Sequence, residues 1–125
     1  MNWVSIQGIE VQCIIGVTER ERAQTQRLEI DLQLHFDFTD ARRSDSIADT
    51  VDYRLVRRRA VEACEKSSFQ LIEALAGHLS EVILGDFPRI SAVRVEVYKP
   101  RGLTGARTVG AVIVTAKPGH EGASP

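Results

Sequence analysis

Cysteine is scarce: Cys13 and Cys64 are the only two, both lie in apolar segments, and no Cys-x-x-Cys spacing occurs. This argues against a cysteine zinc site or a dithiol redox motif and favours two buried free thiols. The three histidines, His35, His78 and His120, are scattered and fit no metal-ligand spacing, so no metal is expected. No apolar run approaches the length of a membrane span. The opening Met1-Asn2-Trp3-Val4-Ser5 lacks the basic and apolar regions of a secretory leader, so a soluble, cytoplasmic protein without a membrane partner is expected. Charge of one sign is lacking too, with 16 Lys and Arg against 17 Asp and Glu and a formal net charge of -1. That balance removes the basic field of a general nucleic-acid binder. A Walker or dinucleotide glycine loop is also missing; Arg101-Gly102-Leu103-Thr104-Gly105-Ala106-Arg107 reads as a flexible hairpin carrying two cations.

What is present fits one domain, since 125 residues with 43% hydrophobic composition support a single core. From Leu28 to Phe38 apolar and polar residues alternate strictly, with Leu28, Ile30, Leu32, Leu34, Phe36 and Phe38 on one side. Only a strand buries that pattern on one face. Val4 and Ile6 alternate in one parity and Ile9, Val11, Cys13 and Ile15 in the other, so a bulge is expected at Gly8. With Val93, Val95, Val97 and the apolar run 109–116, four strands are predicted at about 3–15, 26–38, 91–99 and 108–116. Between them Tyr53, Val56, Ala60, Ala63 and Cys64, then Ile72, Leu75, Leu79 and Val82, recur at helical spacing. Ser67-Ser68-Phe69-Gln70 matches a capping box for the second helix.

The order ββααββ predicts an α+β domain, a four-stranded antiparallel sheet with two helices on one face. Its edge strands would be long and uncovered, so identical subunits are expected to join edge to edge into a ring. The polar stretch 39–52 reads as a structured connection, and residues 117–125 as a disordered tail beyond a single domain, 1–116.

Four side chains invite a functional reading beside an ordinary one. Lys99 continues the inward parity of Val93, Val95 and Val97, where it either snorkels to water or is partly desolvated and usable in proton transfer. Glu73 near a helix start either complements the dipole at the surface or grips the donor edge of an aminopyrimidinone. Tyr53 has spacing that suits core packing, and Glu21 sits in a charged loop of the kind that is either solvated or hosts chemistry.

Together, Ile15-Gly16-Val17 with Glu21 and Gln26, Asp45 to Asp49 leading to Val51-Asp52-Tyr53, Phe69-Gln70-Leu71-Ile72-Glu73, Val97-Tyr98-Lys99-Pro100 and Val109-Gly110 resemble the dihydroneopterin aldolase family over residues 3–116. The resemblance implies a tunnelling fold, four subunits closing a barrel and two rings stacking into an octamer. It implies a pterin substrate held between subunits by Glu73, with Leu71, Ile72 and Val51 assisting and Tyr53 stacking near the ring. Lys99, Tyr53 and Glu21 would be catalytic, and neither cofactor nor metal would be needed. The implied reaction splits 7,8-dihydroneopterin into 6-hydroxymethyl-7,8-dihydropterin and glycolaldehyde in folate biosynthesis, with C2' epimerisation as a side reaction. Arg101 departs from the smaller residue common in relatives and keeps a related dihydroneopterin triphosphate 2'-epimerase in view; Lys99-Pro100 favours the aldolase. A pterin-binding ring without turnover is a third reading.

Overall fold

The alternation that marks residues 28–38 sets the register of the whole sheet. In the computed structural model, which describes residues 2–122, Leu28, Ile30, Leu32 and Leu34 are fully buried along β2 (Gln26–His35). β2 pairs antiparallel with β1 (Trp3–Cys13) on one side and with β3 (Ala92–Lys99) on the other, and β4 (Val109–Ala116) pairs with β3. The sheet order is therefore β1-β2-β3-β4, with β1 and β4 at its edges.

The expected bulge is present. Ile6 pairs with Leu32 and Ile9 with Ile30, so two residues of β1 face Asp31 alone, and Gly8 takes a φ of 72°. Only glycine adopts that backbone without steric cost. The Gly8 amide, left out of the ladder, donates to the Asp31 carboxylate at 2.7 Å. The extra residue shifts the parity of β1 and lets Ile9, Val11 and Cys13 enter the core.

Two long helices cover that apolar face. α3 (Tyr53–Glu65) contributes Val56, Ala60, Ala63 and Cys64, and α4 (Ile72–Asp86) contributes Ile72, Leu75, Ala76, Leu79 and Ile83. Both follow the spacing read from the sequence except at one position each: Tyr53 is exposed, and Ile83 is fully buried where Val82 was expected. Burial pushes the Cys64 thiol up to about 12 and also raises that of Cys13, so both free thiols are inert core residues.

The structure departs from the sequence reading at element ends. β1 stops at Cys13 instead of residue 15, and β2 at His35 instead of 38, although Phe36 stays buried and stacks on Phe38 with ring centroids 4.8 Å apart. Two short helices were missed, α1 (Glu19–Ala23) and α2 (Thr39–Ser44), with a 3-10 turn at Ile47–Asp49 after the latter. α4 begins at Ile72, so Ser67-Ser68-Phe69-Gln70 is not its capping box. Ser67 Oγ instead donates to the Cys64 carbonyl at the end of α3, and the carbonyls of Ser68 and Phe69 are taken by distant donors. The capping box of this chain lies at Thr18 and Glu21.

Beyond β4, the Lys117 amide donates to the Ser91 carbonyl, and Lys117 Nζ reaches the carbonyls of Phe87 and Pro88. The His120 amide closes a turn onto Lys117. Of the stretch expected to be a disordered tail, residues 123–125 lie outside the described residues, as does Met1.

Candidate active site

The inward parity of β3 delivers Lys99 to the edge of the core with its side chain only 16% exposed. Its ammonium meets the Glu21 carboxylate at 2.5 Å, joining two residues 78 positions apart. Glu21 is fixed from its other side by the local fold of α1. Its carboxylate accepts from the amides of Val17 and Thr18 and from Thr18 Oγ1, while the Glu21 amide donates back to Thr18 Oγ1. The Lys99 hydrogen bond first, and these amides after it, hold the Glu21 carboxyl down to about 2. It is therefore a permanent anion at neutral pH, positioned to keep an ammonium in place.

Gly16 makes room for this pair. It is buried at φ 126°, and a Cβ there would overlap the Glu21 carboxylate. Gln26 steadies the same loop by donating to the Ile15 carbonyl at 2.7 Å. Beside Lys99, a cavity of about 280 Å³ is lined by Gln26, Arg27, Pro100 and Arg101.

The loop before α4 lies against this corner. The Gly16 amide donates to the Phe69 carbonyl at 3.3 Å, and the Arg22 guanidinium bonds the carbonyls of Gly16, Ser68 and Phe69. Two residues on, Leu71 is 50% exposed, Ile72 is buried and Glu73 is exposed in the first turn of α4. Leu71, the N-cap, provides no side-chain bond, so the first amides of α4 have no capping side chain. Lys99, Glu21, Leu71, Ile72 and Glu73 thus belong to one end of the sheet.

Val51 and Tyr53 do not join them. They sit at the opposite end of α3, with Val51 buried and Tyr53 58% exposed over a hollow shared with Ile6, Arg54, Arg57 and Arg58. α3 runs 13 residues from Tyr53 toward the 67–71 loop, which is about 20 Å of helix.

A dihydroneopterin aldolase family model matches residues 4–115. A Vibrio cholerae protein assigned as a dihydroneopterin aldolase superimposes with a TM-score of 0.90 at 33% identity, covering 94% of this chain and 98% of that one. The Escherichia coli dihydroneopterin aldolase, solved in complex with neopterin, gives 0.88 at 30% identity, covering 93% and 100%. A dihydroneopterin aldolase of Methylorubrum extorquens is 39% identical over 85 residues, which span 68% of this chain and 65% of that protein's length. The chain belongs to the dihydroneopterin aldolase family.

Membership makes the chain a lyase and its ββααββ sheet a tunnelling fold. Among the described residues, no group of three or more His, Cys, Asp or Glu could hold a metal ion. No helix among them is long and apolar enough to cross a membrane. Within one subunit Lys99, Glu21 and Glu73 are separated from Val51 and Tyr53 by the length of α3.

Periodicity and composition raised Glu21 and Lys99 separately; only the family resemblance implied that Glu21 helps organise the lysine, and the structure brings the two into contact. Arg22 was read only as one charge of a charged loop, and Thr18 was passed over. Thr18-Glu19-Arg20-Glu21 had the Thr-x-x-Glu form of a capping box and was the available signal.

Proposed function

We propose that this chain cleaves 7,8-dihydroneopterin by a retro-aldol reaction, giving 6-hydroxymethyl-7,8-dihydropterin and glycolaldehyde, at sites shared between neighbouring subunits. The observation that carries the reading is the Lys99–Glu21 pair at a half-buried strand end, tied through one loop to the first turn of α4. The same loop leads into a carboxylate-bearing helix start, which suits a planar heterocycle with N–H donors on one edge.

Glu73 accepts from the amino and ring N–H groups of the pterin, with backbone groups near Leu71 and Ile72 completing the edge. Val51 and Tyr53 of the neighbouring subunit close the site, Tyr53 against the ring. The 2'-hydroxyl loses its proton through a water ordered by Lys99 as the C1'–C2' bond breaks. The bond's electron pair passes into the C6=N5 imine, where the Lys99 ammonium supports the charge that develops on N5. Glycolaldehyde leaves, and C1' is reprotonated under the guidance of Tyr53. Since the ring itself accepts the electrons, the reaction needs neither Schiff base, metal nor cofactor. Glu21 holds Lys99 in place and aims it.

The same reading supports a ring of four subunits with two rings stacked, acting in the cytoplasm. Val112, Ile113 and Val114 are exposed on the edge strand β4, an apolar strand edge of the kind that pairs with another copy. A second reading draws on Arg101, which lines the cavity beside Lys99 together with Arg27 and suits a phosphorylated side chain. That substrate would favour dihydroneopterin triphosphate 2'-epimerisation, in which the aldehyde returns to the opposite face. Incubation with dihydroneopterin and separately with its triphosphate, followed by product separation, decides between them. Glycolaldehyde release from the unphosphorylated substrate is expected; a 2'-epimer of the triphosphate as sole product would overturn the aldolase.

A further inference from the structure

α1 buries none of its residues, so no core packing sets its place; hydrogen bonds do. One set runs through Glu21 to Lys99 and to the Thr18 cap. The other is the guanidinium of Arg22, the next residue. Its Nη1 donates to the carbonyls of Gly16 at 3.2 Å and Phe69 at 3.1 Å, and its Nη2 donates to the carbonyl of Ser68 at 2.7 Å. Among the described residues Arg22 forms no ion pair, so its donors are committed to these backbone oxygens. A planar fork suits carbonyls presented from two separate segments; an ammonium presents a single compact charge.

The two segments joined in this way carry different chemistry. The loop 14–18 continues into the Glu21–Lys99 pair, whereas 67–71 leads straight into Leu71, Ile72 and Glu73. Each half is anchored elsewhere, one by β3 and the Thr18 capping box, the other by burial of Ile72, Leu75 and Ala76 along α4. Besides Arg22, the backbone bond between them is the 3.3 Å contact from the Gly16 amide to the Phe69 carbonyl. We propose that Arg22 is a positioning residue that fixes the distance and angle between the pterin anchor and the Lys99–Glu21 pair. This rests on the aldolase reading. Its loss leaves both halves intact but lets them drift, so the scissile bond is no longer held against Lys99. Misplacement on the scale of an ångström is costly in rate.

The test compares Arg22→Ala and Arg22→Lys with the natural protein in dihydroneopterin turnover, equilibrium binding of neopterin and hydrogen exchange at the Gly16 amide. Thermal melts fix an assay temperature at which every variant is folded. For Arg22→Ala the expected result is a kcat lower by about tenfold or more, neopterin affinity within about twofold of the natural protein and a faster-exchanging Gly16 amide. Arg22→Lys should recover only part of kcat. An unchanged kcat overturns the proposal. So does a parallel fall in kcat and neopterin affinity, which would mark general loss of structure, or a Gly16 amide as protected as before. If the natural protein itself releases no glycolaldehyde, the aldolase reading has failed, and that result is recognised by the absence of turnover in all three proteins.

Discussion

Lys99 and Glu73 do different work in the proposed reaction, and the difference is measurable. Lys99→Ala should lower kcat by roughly 10²–10⁴-fold, the range for loss of a positioned proton-transfer group, while neopterin still binds. Glu73→Ala should weaken neopterin binding by about 100-fold, as expected when two hydrogen bonds to a charged acceptor are lost. Steady-state kinetics with a direct binding titration checks both, and the opposite pattern would exchange their roles. Glu21 adds a pH dependence. Its carboxyl is held down to about 2 from an ordinary 4.5, chiefly by Lys99, so ionised Glu21 stabilises the folded state above about pH 4.5. That contribution fades as pH falls through the window and is gone below about 2. Urea unfolding of the natural protein and Glu21→Gln at fixed protein concentration should therefore show a gap at neutral pH that narrows below pH 4.5. A gap that widens in acid would contradict the ion pair. Sequence parity alone raised Lys99 as a polar group on an apolar face. Parity could not name its partner, which only the family resemblance implied, because the pairing spans 78 positions and depends on how α1 folds back over the end of β3.

At the scale of elements, the features that follow from local periodicity were readable and those that depend on distant partners were not. The β1 bulge was visible as a change of parity at Gly8, and α3 and α4 as helical repeats. The start of α4 was misread because Ser67 to Gln70 has the right composition for a cap, yet Arg22 and Gly16 claim the carbonyls of Ser68 and Phe69. Tertiary hydrogen bonds overrode local propensity there. Two glycines permit a contrast between backbone strain and steric overlap. Gly8 has φ 72° with open space where a Cβ would go, so Gly8→Ala should cost about 1 kcal/mol in unfolding free energy with activity per folded protein retained. Gly16 has φ 126° and the Glu21 carboxylate in the place of its Cβ. Gly16→Ala must displace that carboxylate, and kcat should fall along with stability. Chemical denaturation together with kcat on both variants separates the two cases; equal loss of activity would mean that the Gly16 loop does not position Glu21.

For the whole molecule the proposed reaction requires groups that one subunit places at opposite ends of α3. Lys99, Glu21 and Glu73 lie at one end, and Val51 and Tyr53 about 20 Å of helix away. The sequence displayed every one of these residues but not their separation, because spacing along a chain carries no distance between elements. Exposed Tyr53, Leu71 and Val17 are apolar surface that a lone subunit leaves in water, and β1 and β4 leave two unpaired strand edges. Both features are met if a second copy brings its Tyr53 end to the Lys99 end of the first. Activity should then complement between two inactive variants. Lys99→Ala subunits carry a sound Tyr53, and Tyr53→Ala subunits carry a sound Lys99. Co-expressed in equal amounts and mixed at random, they form interfaces of which about a quarter draw both intact halves from different chains. Differently tagged subunits purified through both tags should regain turnover approaching that fraction of the natural protein, where either variant alone has little. No gain above the average of the two variants would place the working site within a single subunit and remove the interface from the mechanism.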